Sequence, residues 1–102
     1  MKNALLISPK DNLVVVLKYI KKGEHIVYLS GKNTINKIVT INDIPVYHKV
    51  AITDIQKNGV VTKYGERIGI AKKNIKKGEH IHEHNLISIR DSCDIDSGSG
   101  VK

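Results

Sequence analysis

Apolar residues fall in short runs along this chain, mostly Ile, Val and Leu, broken by polar clusters that carry Gly, Asn, Asp and Lys. β-Branched side chains are stiff and pack well on a pleated surface, so such runs favour strands. Strands are predicted over residues 5–7, 25–29, 37–40, 50–53, 60–63, 67–71 and 80–82, with residues 30–36 as a loop. Gly69 inside one of these runs points to close approach of another backbone or a ligand. One segment is ambiguous. Asp11 is a good N-cap, and Leu13, Val16 and Leu17 would share one face of a helix over 12–19. The run Val14-Val15-Val16 reads equally as strand. The expected fold is mainly β with one or two short helices.

The pattern also repeats. IKKGEHI occupies residues 20–26 and again 75–81, and a looser copy starts at Ile55. Each copy has an apolar residue at its first and seventh positions. The fourth position is Gly23, Asn58 or Gly78, residue types that tolerate positive φ, so each copy predicts a tight bend between short strands. The copies are spaced too irregularly for a solenoid.

At 102 residues the chain has room for one core. Its formal net charge of +7 attracts anions of several kinds, but the lysines are spread along the chain and form no single arm. Single-strand nucleic-acid binding uses aromatic platforms, and four Tyr with no Phe or Trp offer little; no helix-turn-helix or zinc-finger pattern is present. Nucleic acid and membrane are therefore not expected partners. A lone cysteine, Cys93, excludes an internal disulfide. With no signal-peptide pattern and no spanning apolar run, a cytoplasmic location is the default. From Asp91 the chain turns polar and Gly/Ser-rich, which predicts a domain over 1–90 and a disordered tail over 91–102.

His82 and His84 form an H-x-H pair. On a strand, residues two apart share a face, and two imidazoles there can ligate a metal or act as acid and orienter. A solvated pair is the ordinary alternative. Lys49 can clamp a carboxylate. Tyr64, beside Gly65, can offer a phenol hydroxyl at a bend or sit half-buried in the core. Asn85 can orient a substrate hydroxyl or cap a turn.

Three motifs follow in order: DIPVYHKVA at 43–51, DIQKNGVVTKYGERIGIA at 54–71 and NIKKGEHIHEHNL at 74–86. This order resembles the SAF domain of the altronate and galactarate dehydratase family, to which the sulfolactate sulfo-lyase small subunit is related. Asp11-Asn12 and the first IKKGEHI fit the family's N-terminal half, so the resemblance covers about residues 5–90. It implies a compact β-clip and a reaction that eliminates water from a sugar acid to give a 2-keto-3-deoxy acid. It also implies ferrous or another divalent metal in the complete enzyme, with most catalytic groups on a large partner. On this reading His48, His82 and His84 are catalytic. Lys49, Tyr64, Gly65 and Asn85 bind substrate, and His82 and His84 would hold the metal. Two departures stand out. The family usually has Gly before the His of the first motif, where this chain has Tyr47, and Asn58-Gly59 replaces a Gly-led pair.

The chain is thus expected to be a small, N-terminal-type subunit of a hydro-lyase, inactive alone, with a large dehydratase subunit as partner. A homo-oligomer is compatible with this. The alternatives are a sulfolactate sulfo-lyase small subunit and a non-catalytic SAF-type binding or assembly module.

Overall fold

The computed structural model describes residues 2–88. Nine strands form among them: β1 (Ala4–Leu5), β2 (Leu13–Val16), β3 (His25–Ser30), β4 (Thr34–Val39), β5 (Lys49–Ala51), β6 (Val60–Lys63), β7 (Glu66–Ala71), β8 (His80–Ile81) and β9 (Leu86–Ser88). They make a sheet in the order β1-β2-β5-β8, a sheet in the order β6-β7-β9 and a β3-β4 hairpin, all antiparallel. The mainly β expectation holds.

No helix forms among the described residues. The helix expected over 12–19 is replaced by strand β2, where Leu13, Val14 and Val16 are all buried. A segment buried on both faces suits a strand lying between two others better than a one-faced surface helix. Asp11 caps nothing helical. Its buried carboxylate accepts N–H bonds from Ser8 (3.0 Å), Tyr64 (3.0 Å) and Gly65 (2.8 Å). The loop expected over 30–36 is also shorter than predicted. Gly31 and Asn33 are left-handed (φ 52° and 65°) and turn the chain tightly, so residues 34–36 already pair with β3. Strand β9 was not foreseen. Gly69 pairs between Val61 and Ser88, and a Cβ there would lie 2.4 Å from the Ile87 carbonyl oxygen, which explains the glycine. The boundary at residue 90 and the tail over 91–102 lie outside the described residues.

The repeated bend organises the whole fold, and the structure adds a fourth copy at residues 44–50. In each copy the position-five N–H donates to the position-two carbonyl: Glu24 to Lys21, His48 to Pro45, Gly59 to Gln56 and Glu79 to Lys76. Position four is left-handed in all of them: Gly23 (φ 89°), Tyr47 (67°), Asn58 (72°) and Gly78 (90°). That is the hydrogen bond and handedness of a type II turn. The position-four N–H then donates to one residue of a neighbouring segment, which donates back to the position-five carbonyl. That residue is Thr40, Val16, Ala71 and Ala51 in turn. Two residues face one, the first of them left-handed, which makes each bend a G1 β-bulge.

The bends pair through their first positions, Ile20 with Ile44 and Ile55 with Ile75. First and seventh positions are buried throughout. Ile20, Ile26, Ile44 and Val50 join one core cluster, and Ile55, Val61, Ile75 and Ile81 join the other. Burying an Ile or Val side chain contributes about 1.5–3 kcal/mol, so the bend motif itself supplies much of both cores.

Three of the bends end in an asparagine clasp. Asn3 donates to the His25 carbonyl and accepts from Val27 N–H; Asn12 does the same with Val60 and Thr62, and Asn85 with His80 and His82. A side-chain amide offers one donor and one acceptor side by side, so it completes the pairing of a strand end without another strand. The bend at 44–50 needs no clasp, because it leads into β5, which is paired on both sides by β2 and β8. Its cost lies elsewhere. A non-glycine residue held left-handed, as Tyr47 is, loses about 1–2 kcal/mol.

A candidate histidine site

The shared geometry of the bends carries three imidazoles to one place. His48 is position five of its bend and His80 is position six of its own, at the start of β8. Strand β8 pairs with β5, matching Val50 with His80, so residues far apart in sequence become neighbours. His48 Nδ1 lies 2.8 Å from His80 Nε2, a hydrogen bond between rings. The ring centroids of His48 and His82 are 4.7 Å apart, those of His48 and His80 5.0 Å, and those of His80 and His82 5.6 Å. Each of the three can present a ring nitrogen within 4.8 Å of the others.

Burial and company favour the neutral forms of His48 and His80. Desolvation, then the charges of His48, His84, His82 and Lys49, pushes His80 down to about 4. The same kind of burial, with His82 and Lys49, lowers His48. Lys49 is half-buried, and its ammonium is disfavoured by that burial and then by Lys63. A neutral imidazole can accept a proton or ligate a metal; a protonated one can do neither.

The expected site residues are distributed as follows. His48 and His82 are brought together, and His80 joins them. His84 lies outside the three-nitrogen group, with its ring 5.6 Å from that of His80. The strand argument for pairing His82 with His84 fails, because β8 ends at Ile81 and both residues lie in the turn that follows. Lys49 adjoins His48. Asn85 is fully buried and takes the turn-holding role. It fixes the backbone of His80 and His82, and its amide also reaches the Glu79 carboxylate at 3.3 Å. Tyr64 and Gly65 form the β6–β7 turn (φ 59° and 73°) with both amides on Asp11, and neither makes a ring or hydrogen-bond contact with the histidines.

Sequence reasoning missed His80. Its signal was available in the H-x-H spacing of His80 and His82, but it stands inside the repeated heptapeptide, where its twin His25 is an exposed surface residue.

The histidines also stand on an open face. A cleft of about 340 Å³ lies elsewhere, between β1 and the β3–β4 turn, lined by residues such as Leu5, Leu29 and Asn33.

The model of one protein family, the altronate/galactarate dehydratase SAF domain, matches residues 2–89. The chain belongs to that family. Altronate dehydratase of Bacillus subtilis (strain 168) is 39% identical over 85 residues, which are 83% of this chain and 16% of that protein. Altronate dehydratase of Escherichia coli (strain K12) is 38% identical over 76 residues, 74% of this chain and 14% of that protein. This SAF domain thus spans a small part of both dehydratases. The (2R)-sulfolactate sulfo-lyase subunit alpha of Chromohalobacter salexigens is 31% identical over 74 residues, 72% of this chain and 79% of that subunit. Among the described residues no helix is long and apolar enough to cross a membrane.

Proposed function

We propose that this SAF domain is the small part of a lyase acting on a hydroxy acid, to which it contributes the His48–His80–His82 cluster. One observation carries the reading: three imidazoles converge on an open face, in a domain whose family relatives include dehydratases many times its length. A site so exposed cannot exclude water or surround a substrate by itself. A larger body completes it.

Elimination beside a carboxylate requires a base for the α-proton and help for the departing group. His80 is unprotonated at pH 7 and so free to accept a proton or ligate an ion, and its hydrogen bond to His48 orients the ring. His82 stands beside both, and Lys49 adjoins them to hold the acid's carboxylate. The donor set also fits a divalent ion, since imidazole nitrogen suits zinc, iron and nickel. Ligand nitrogens about 2.1 Å from such an ion lie roughly 3.0–3.4 Å from each other, so the 2.8 Å separation of His48 and His80 needs only slight opening. His48, His80 and His82 would hold the ion, which would supply Lewis-acid polarisation of the leaving oxygen.

The match to most of a sulfo-lyase subunit alpha favours a second form of the same reading, in which the acid is a sulfolactate and the domain a separate subunit. The test is turnover of aldonates, aldarates and (2R)-sulfolactate by the domain alone and by the domain assembled with the larger lyase body. Activity is expected only in the assembly. Robust turnover by the domain alone would refute the reading.

A further inference from the structure

The four bends are equivalent in backbone, so they serve as controls for one another, and one of them departs. Three of the bends hold Gly or Asn at the left-handed fourth position, but the bend at 44–50 holds Tyr47. In the same three, the position-three N–H donates to the side chain just before the partner bend: Lys22 to Asp43, Lys57 to Asn74 and Lys77 to Asp54. For the departing bend that acceptor position is Tyr19, whose phenol engages Asp43. The bend has lost both the flexible residue and the acceptor that stabilise its counterparts.

The side chains of this bend and beside it stand open. Tyr47 is 70% exposed, Tyr19 51%, Val46 45% and Leu17 37%. They lie on adjoining segments: the Tyr47 N–H donates to Val16, which precedes Leu17, and Tyr19 precedes Ile20, which bridges Ile44 at the start of the bend. His48 follows Tyr47, so this shelf borders the histidine site. A strained and exposed aromatic beside other exposed apolar side chains is what an interface anchor looks like before its partner is in place. A hydroxy acid has no use for Val46 or Leu17; an apolar protein surface does.

We infer that the bend at 44–50, with Leu17 and Tyr19 beside it, is the face through which this domain seats on the catalytic body of a larger lyase, closing that body over the histidines. This rests on the function proposed above. It commits to that occupant because the family's dehydratases are mostly made of sequence outside this domain, and because a body that completes the histidine site must touch what borders it.

The test places a photoreactive p-benzoylphenylalanine at position 47, and in separate variants at Ile35 and Lys57, which are exposed on β4 and on another bend. Each full-length variant is irradiated in its own host and the crosslinked peptides are mapped by mass spectrometry. The expected result is a crosslink from position 47 to a dehydratase- or sulfo-lyase-type body, whether separate or continuous with this chain, and none from 35 or 57. If 35 or 57 captures that body and 47 does not, the docking face is wrong while the proposed function stands. If no position captures it, or 47 captures only a second copy of the domain or an unrelated protein, the inference falls, and in the first case the proposed function falls with it. Tyr47→Gly supplies an independent reading. Relief of strain should raise Tm by roughly 4 °C or more, while capture of the body by the tagged domain should fall about tenfold or more, as for loss of an anchor. A stabilised variant that still captures the body fully overturns the inference.

Discussion

Gly23 and Gly78 occupy the same place in identical heptapeptides and adopt nearly the same φ, 89° and 90°. Their surroundings differ. A Cβ on Gly23 would meet nothing within 4 Å, whereas a Cβ on Gly78 would lie 2.4 Å from the Val39 carbonyl oxygen. The histidines two residues on diverge in the same way. His25 is exposed on the hairpin, while His80 is packed into the cluster and pushed down to about 4. One local sequence therefore serves as a solvent-facing bend in one place and as a buried junction beside a candidate site in the other. The bend is a local property. Its role belongs to what the rest of the chain packs against it.

The largest effect should come from the glycines. Gly78→Ala combines left-handed strain with a backbone collision and should destabilise by about 3 kcal/mol or more. Gly23→Ala carries the strain alone and should cost about 1 kcal/mol. Urea unfolding of both variants measures the gap, and equal losses would mean that the packing at Gly78 contributes nothing.

The histidines should separate nearly as far, in activity and not in stability. His80→Ala should lower turnover of the assembled lyase by roughly a hundredfold or more if it moves a proton or binds metal. His25→Ala should leave turnover unchanged. Titration with Co²⁺, followed by its visible absorption, gives a second readout: binding should survive loss of His25 and fail on loss of His80.

Asn85→Ala sharpens the comparison within one bend. The variant leaves the His82 N–H and the His80 carbonyl without their clasp, and should cost about 1–3 kcal/mol. Asn3→Ala does the same to the more exposed IKKGEHI copy and should cost less, because water can replace the lost amide there. Thermal melts of the two variants would show the order.

The last comparison is in pH dependence. His80 titrates near 4 when folded and near its ordinary 6.5 when unfolded. The unfolded chain therefore binds the extra proton first. The metal-free domain should keep this contribution above pH 6.5 and lose it progressively as pH falls from 6.5 toward 4. His80→Gln should flatten that part of a Tm-against-pH curve. An unchanged slope in the variant would show that the packing around His80 does not affect its titration.

The sequence by itself determined the bends. Ile at positions one and seven with Gly or Asn at four specifies a left-handed turn between buried anchors, because only those residue types meet the local steric and solvent requirements cheaply. The β-rich class and the family follow from the same residues in order. The fourth bend was hidden, since Tyr47 carries no turn signal and is held left-handed by its own N–H bond to the Val16 carbonyl across the fold and by the turn-closing bond from His48 N–H to the Pro45 carbonyl. Strand β2 was hidden as well, because Asp11 reads as a cap until the β6–β7 turn brings Tyr64 and Gly65 to its carboxylate. The histidine cluster is the clearest case. Spacing along the chain pairs His82 with His84, but the β5–β8 register brings His48 to His80 across 32 residues, and β8 ends at Ile81, before either His82 or His84. Local sterics are written in neighbouring residues. Which imidazoles meet is decided by strand pairing, and only the tertiary structure contains that.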